Sequence, residues 1–453
     1  MHWRGAYRQH RFESDTLHKK DGIMAKKKKS DSTANIACKY RIYPTESQIA
    51  FIIQTIGCNR WFWNYLISES KKAYEETKER PSALYELARR LPGLKEDEAT
   101  EWLKKAESTS LIYTASRVDE AYAAFHRKRA KGMSVKMAGL PKRHKKRRCG
   151  AFTKQCNSKV NYIDWGKNLL FLSTKVVNND GKKEPWVKAV LHRKVQGTPK
   201  SITYSVDIDG KFYASVIFEY EAERTEPEKP TFEKTLGVDL SMKDFGRAYG
   251  SDNELREVKC DKTAFERIEK HINVWKVRAS RRYNRNQKRN NQSKGYYEAT
   301  NKYLKLTARL NKMKEYATHM MTSEMVRDDR YSTISVESLD VSSMVKKLGE
   351  NAKKGEVKKR KNRARNNNKA RMGLMASQIE YKAKMNGKNF VKIDRYFPSS
   401  QECSSCGFIF KGAKDYVTKQ DWKCPQCGTR HQRDFNAAKN IKMEGFRILT
   451  EEK

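Results

Sequence analysis

Alternating apolar positions Ile36, Cys38, Tyr40 and Ile42 predict a short strand over residues 36–42. Pro44-Thr45-Glu46 reads as a helix start, and Ile49, Ile52, Ile53 and Ile56 share one helical face. Gly57 is expected to interrupt this helix. Trp61, Phe62, Trp63, Tyr65 and Leu66 continue a helical segment to about Thr77. Core packing is the better reading of that aromatic group, with base stacking the alternative. Two further helical segments are predicted over about 82–91 and 96–125. The period then changes to two. Strands are expected over 159–164, 169–173, 186–191, 202–208 and 212–220, the last two joined by the hairpin signal Asp209-Gly210. A small β-barrel is the expected product, and the proline- and charge-rich residues 224–232 mark its boundary.

Beyond that boundary an apolar strand is predicted over 235–240 and a second over 246–250. A long basic helical stretch follows over 264–327, broken near 290–295, and then a strand over 332–336. A helix over 372–385 is closed by Asn386-Gly387, a strand runs over 390–394, and a last helix starts near Phe435. The order β, β, α, β, α, β, α predicts an α/β domain, and the whole chain is expected to be multidomain α/β and β. There is no internal repeat.

The 453 residues carry 96 Lys plus Arg against 54 Asp plus Glu, a net charge of +42. Such a charge repels itself in a compact fold, and a polyanion relieves it. The basic runs are spread along the chain: 26–29, 142–148, 278–289 and 353–361. Nucleic acid is the expected partner, with contacts at Lys142, Arg143, Lys145, Lys146, Arg147, Arg148, Arg281, Arg282, Arg285 and Arg433. An anionic membrane fits less well, because no run sits on an amphipathic helix with a bulky apolar face. Mean hydropathy is −0.92 and no stretch approaches 18 consecutive apolar residues, which excludes a transmembrane helix. Residues 1–35 read as a disordered basic leader without an apolar core, pointing away from secretion, and Met24 is a second candidate start.

Five of the nine cysteines (Cys38, Cys58, Cys149, Cys156, Cys260) are scattered and read as free thiols. The other four form Cys403-x-x-Cys406 and Cys424-x-x-Cys427, with residues 407–423 between the pairs. Each pair puts two thiolates on one turn, and two such turns complete a closed tetrahedron around structural Zn²⁺. Disulfides and a redox dithiol suit this spacing less well.

Three acidic residues stand in telling places. Asp239 ends the apolar run Leu236-Gly237-Val238-Asp239-Leu240, Glu337 follows Thr333-Ile334-Ser335-Val336, and Asp434 heads a helix in Arg433-Asp434-Phe435-Asn436-Ala437-Ala438-Lys439-Asn440. A carboxylate ending a buried strand is costly unless something holds it. Open α/β sheets bind ligands at strand C-terminal ends. Converging carboxylates there can hold two Mg²⁺ or Mn²⁺ ions for phosphodiester hydrolysis. Each acid taken alone reads better as a cap or a surface ion pair. Asp394 is a rival, whereas Asp244 and Asp340 sit less favourably. There is no HExxH, GxSxG or Walker glycine-rich loop, so metalloprotease, serine hydrolase and ATP-driven chemistry find no support.

At this point the residues resemble the TnpB (OrfB) proteins of bacterial transposons and the miniature type V CRISPR nucleases. The resemblance is carried by Lys39-Tyr40-Arg41-Ile42-Tyr43-Pro44-Thr45, by Gly237-Val238-Asp239-Leu240 and by Val336-Glu337-Ser338-Leu339. Phe397-Pro398-Ser399-Ser400, the two cysteine pairs and the segment 433–441 complete it. It implies an RNA-guided DNA endonuclease with a RuvC-type, RNase H-like domain over 231–400 and 433–453 and a zinc ribbon over 401–432. It also implies a β-barrel wedge domain over 36–44 and 141–230, with a helical recognition domain over 45–140 inserted into it. Asp239, Glu337 and Asp434 would take the catalytic, Mg²⁺- or Mn²⁺-binding positions, and Cys403, Cys406, Cys424 and Cys427 the Zn²⁺ positions. The implied partners are a guide RNA, the target double-stranded DNA and its displaced single strand. No membrane is implied, and a homodimer is implied only if the chain is of the miniature CRISPR type. The implied location is the prokaryotic cytoplasm, at the nucleoid when bound to DNA. The transposon type is favoured over a CRISPR effector, with an RNA-guided repressor or a transposase as readings of another class. The chain departs from the family at Ser241, where glycine is usual, in Glu337-Ser338-Leu339-Asp340, and over 344–372; none of these removes a metal ligand.

Overall fold

The computed structural model describes residues 33–145, 149–157, 160–221, 226–241, 246–259, 261–287, 291–338, 372–410 and 420–451. The expected leader up to residue 32, the basic run 353–361, and Lys146, Arg147, Arg148, Lys288, Arg289, Cys260, Asp244 and Asp340 lie outside the described residues.

The first strand, β1 (Thr33–Tyr43), begins three residues before its apolar alternation because Thr33 to Asn35 pair with Glu221 to Glu219. It joins β2 (Gly150–Gln155), β3 (Ile163–Asp164), β4 (Leu169–Phe171), β5 (Trp186–Val190), β6 (Thr198–Val206) and β7 (Phe212–Glu221) in one antiparallel sheet. The order is β2-β6-β7-β1-β5-β4-β3. Alternate residues Tyr40, Ile42, Tyr204, Ala214, Val216 and Phe218 face a single buried core. Among the described residues, no ladder of hydrogen bonds joins the edge strands β2 and β3. Instead, buried Lys154 of β2 donates to the Leu172 carbonyl just past β4 at 2.5 Å, and its ammonium lies over the Phe171 and Tyr162 rings. Side chains thus bring together the two ends of a strongly curled sheet. The strand expected over 159–164 shrinks to β3.

A long helix, α1 (Glu46–Thr77), starts on a Thr45/Gln48 capping box and runs through Gly57 without interruption. Its first half buries Phe51 and Ile52 in the sheet core. Its second half buries Cys58, Phe62, Leu66 and Ile67 in a separate helical core. Burial on both sides of Gly57 offsets a glycine cost of about 1 kcal/mol. The segments expected over 82–91 and 96–125 divide differently. Short 3₁₀ turns at Leu87–Arg90 and Glu101–Lys105 flank α2 (Leu91–Glu96), and α3 (Ser108–Ala130) then packs on α1. Pro92 and Gly93 limit the helix here. The carboxylate of Asp119 accepts from the Ala83 and Leu84 amides at 2.9 and 3.0 Å and pins the intervening turn. A single turn, α4 (Val135–Ala138), precedes the basic run.

The second sheet has the order β10-β9-β8-β11-β12, from β8 (Thr235–Leu240), β9 (Arg247–Gly250), β10 (Leu255–Glu257), β11 (Thr333–Glu337) and β12 (Asn389–Ile393). Strands β8, β11 and β12 are parallel, and β9 and β10 are antiparallel additions. An antiparallel helix pair, α5 (Lys262–Arg281) and α6 (Lys294–Arg327), separates β10 from β11, and α7 (Met372–Met385) leads into β12. Alternation decides the faces. Leu236, Val238, Ile334 and Val336 pack against Met321 and Met325 of α6 and Met375 and Ile379 of α7. The opposite parity, Gly237 and Ser335, receives the last helix, α8 (Arg433–Glu451).

That contact is unusually close. A Cβ on Gly237 would overlap the Ala438 carbonyl and the Lys442 backbone nitrogen, and one on Gly445 would overlap the Ser335 side chain. Gly237→Ala is therefore expected to destabilise the protein by about 3 kcal/mol in chemical denaturation. Gly57→Ala, whose Cβ meets nothing, should stabilise it slightly. Equal effects of the two substitutions would contradict this packing.

Candidate active site and cysteine cluster

The Gly237/Ala438 crossing sets where the acidic residues fall. Two residues onward along β8 cover about 7 Å and reach Asp239. Four residues back along α8 cover about 6 Å and reach Asp434. In β11, Glu337 lies one position beyond the last β8 pair, Val336↔Val238, so it stands beside Asp239 at the same sheet end. Asp239 pairs with Tyr249, whose ring meets Phe435 edge-on at 5.1 Å, next to Asp434. The structure thus brings together all three acids expected from the sequence.

Their electrostatics follow from this placement. The Asp239 carboxyl is pushed up to about 7 by burial, and further by the negative charges of Asp434 and Glu337, with Arg433 opposing. Burial also raises Glu337. The Asp434 side chain is only 12% exposed, so its charge requires partners. Arg433 supplies two hydrogen bonds to Oδ1, from Nη2 at 2.7 Å and Nε at 3.0 Å. Gln420 Nε2 donates to Oδ2 at 2.8 Å, and the Arg433 amide donates to the Gln420 carbonyl at 2.7 Å. Asp394, the rival carboxylate, is exposed and accepts from the Tyr396 amide at 2.6 Å, so it shapes its own turn.

The four cysteine sulfurs lie within 4.8 Å of one another. Cys403 and Cys427 are 3.7 Å apart, as are Cys406 and Cys424. A tetrahedron with metal–sulfur bonds of about 2.3 Å has edges of about 3.8 Å, so this spacing fits a zinc ion. The second turn, Cys424 to Cys427, is the loop of an antiparallel hairpin between β13 (Asp421–Lys423) and β14 (Arg430–Gln432). His431, buried between Trp422 and the cluster, places Nε2 3.1 Å from the Cys403 sulfur, as an outer partner of a metal ligand would.

Sequence reasoning missed what locks this ribbon to α8. Asn436 Oδ1 accepts from the Ser404 amide at 2.9 Å, and Asn436 Nδ2 donates to the Glu402 carbonyl at 2.7 Å. Asn440 Nδ2 donates to the Ser399 and Glu402 carbonyls, both at 2.7 Å. The signal was present: two asparagines four apart on a helix otherwise lined by small residues. Gln420 left no local signal, because its contact closes a loop of 14 residues.

Lys142, Arg143 and Lys145 are exposed on a segment docked to α1. There Trp63 stacks on His144 with ring centroids 4.4 Å apart, and Trp63 Nε1 donates to the Lys142 carbonyl at 2.9 Å. Asn64 exchanges two hydrogen bonds with the His144 backbone. Of the aromatic group, Phe62 is core, whereas Trp63 serves this contact. Arg281, Arg282 and Arg285 are exposed near the α5–α6 turn, where Arg282 Nη1 also donates to the Gly295 carbonyl. Arg433 points inward, to Asp434. Among the described residues, no helix is long and apolar enough to cross a membrane.

Comparison with known proteins agrees with the motifs. The family described as "Cas12f1-like, TNB domain" matches residues 373–441. An OrfB-type "Helix-turn-helix domain" matches residues 34–79, where the structure has β1 and the unbroken α1. A Streptomyces pristinaespiralis protein described as "Putative RNA-guided DNA endonuclease" is 26% identical over 90% of this chain and 89% of its own length. "Putative RNA-guided DNA endonuclease InsQ" of Escherichia coli is 23% identical over 91% of this chain and 93% of its own. "CRISPR-associated endodeoxyribonuclease Cas12f1" of Sulfoacidibacillus thermotolerans is 39% identical over 15% of each chain. Two domain families, OrfB-type and Cas12f1-like, thus match parts of the chain, and proteins described as putative RNA-guided DNA endonucleases are similar to it over about nine-tenths of its length.

Proposed function

We propose that the protein is an RNA-guided DNA endonuclease of the TnpB (OrfB) kind, with Asp239, Glu337 and Asp434 as its catalytic carboxylates. The observation that carries this is their convergence at the C-terminal ends of β8 and β11 under the first turn of α8. Three carboxylates face one another with Arg433 as a counter-charge, and this excess of hard, negative oxygen suits Mg²⁺ or Mn²⁺. Bound by these residues, such ions would activate the attacking water and neutralise the leaving oxygen. The chain itself holds Asp239 and Glu337 at fixed strand ends, while the cysteine ribbon and Asn436 and Asn440 hold Asp434.

In this reading the curled sheet is the wedge domain (36–44 and 141–230), α1 to α4 belong to the recognition domain (45–140), and the second sheet is the RuvC-like domain (231–400 and 433–453) with its ribbon at 401–432. The net charge of +42 and the docked, exposed Lys142, Arg143 and Lys145 suit a guide RNA and target DNA. Base pairing would then carry sequence specificity. The similarity of the C-terminal part to a CRISPR nuclease supports a second reading, a miniature CRISPR effector.

The test is to express the chain with its native flanking DNA and sequence the RNA that co-purifies. An RNA running past a transposon end, which directs cleavage of a matching DNA, is the expected result. A spacer beside a repeat would favour the second reading, and the absence of any discrete RNA would overturn both.

A further inference from the structure

Arg433 has the surroundings of a group with a task beyond charge balance. It precedes Asp434 directly, yet its guanidinium folds back to give two hydrogen bonds to Oδ1, while its amide is tied to Gln420. Its side chain is 23% exposed, so the charge sits in the mouth of the carboxylate cluster rather than in bulk water. It also acts on Asp239, where it opposes the repulsion from Asp434 and Glu337. The oxygen it occupies, Oδ1 of Asp434, is one a divalent ion would need.

We infer that Arg433 is a built-in counter-cation that holds the three carboxylates together before a divalent ion binds and is displaced from Asp434 when one does. This rests on the metal-binding reading of Asp239, Glu337 and Asp434. Arg433 is then a positioning residue. Two consequences follow, of opposite sign. Metal binding must break its two charge-assisted bonds, so removing the guanidinium tightens divalent binding by about tenfold. Without divalent ions, the same removal leaves the carboxylates uncompensated and lowers the melting temperature. A purely structural arginine would lower stability with or without metal, and a phosphate-binding arginine would leave both readouts unchanged.

The experiment uses the full-length, zinc-loaded chain in magnesium-free buffer. Mn²⁺ binding is followed by the loss of the free-ion electron paramagnetic resonance signal, and melting is followed with and without Mg²⁺. Arg433→Gln should bind Mn²⁺ about tenfold more tightly than wild type. It should melt lower without divalent ions and recover most of the loss on Mg²⁺ addition. Arg433→Lys, which keeps the charge but cannot make both bonds from a planar fork, should shift in the same direction by less, and decides the matter if the glutamine variant does not fold. Asp239→Asn sets the background. Equal or weaker Mn²⁺ binding in the Arg433 variants, with wild-type binding still abolished by Asp239→Asn, would overturn the inference and leave the carboxylate site standing. Binding that does not depend on Asp239 would overturn both.

Discussion

Asp239→Asn should abolish DNA cleavage, by about a thousandfold or more, equivalent to roughly 4 kcal/mol of transition-state stabilisation. Guide-RNA and target binding should be nearly unchanged, because the substitution keeps the side chain's size and leaves every exposed basic residue in place. Filter binding and a cleavage time course on the same preparation check this. Cleavage surviving in the variant would remove Asp239 from the site.

The same substitution should stabilise the protein without magnesium. The Asp239 carboxyl titrates near 7 in the fold, against 3.8 ordinarily. Below about pH 4 it is protonated in both the folded and unfolded chains. Between that point and about pH 7 the folded chain holds a proton that the unfolded chain has released, so stability falls as pH rises. Above 7 the penalty is complete, at most about 4 kcal/mol. Wild type should therefore lose stability from pH 5 to pH 8 relative to Asp239→Asn, with zinc retained and no magnesium added. Parallel pH profiles in denaturant melts would mean that Asp239 does not face the other two carboxylates.

Cys424→Ser should reduce bound zinc from one per chain towards none and abolish cleavage together with it. Zinc binding is folding free energy for so small a ribbon, whose apolar support among the described residues is little more than Phe408, Phe410 and Trp422. The effect should reach the active site through the first cysteine turn, which Asn436 and Asn440 bind to α8. Asn436→Ala separates the two steps. It should keep its zinc yet cut about 10–100-fold more slowly, as outer-sphere substitutions commonly do. Zinc content by atomic absorption, set against cleavage rate, reads both. A zinc-free variant that cuts at the wild-type rate would disconnect the ribbon from Asp434.

Much of this protein is legible in its sequence alone. The parity of Leu236, Val238, Ile334 and Val336 marks buried strands. The two Cys-x-x-Cys pairs mark a metal ribbon. The helix over 372–385 follows from its apolar spacing and its Asn386-Gly387 stop. These signals are local: period, turn chemistry and ligand spacing act within a few residues, and short-range sterics enforce them. Other readings failed where a distant partner outweighed local preference. Gly57 does not break α1, because two separate cores bury the residues on either side of it. The helix expected over 82–91 yields to turns, the first of which Asp119 holds from α3, and the one expected over 96–125 begins only at Ser108. What only the tertiary structure decided is how the acids come together. Gly237 and Gly445 allow α8 to lie against the sheet, and that contact alone sets Asp434 at the height of Asp239. Gln420 and Arg433 then claim its oxygens. The two helix–sheet contacts join residues more than a hundred positions apart through backbone proximity, for which a linear sequence holds no periodic trace.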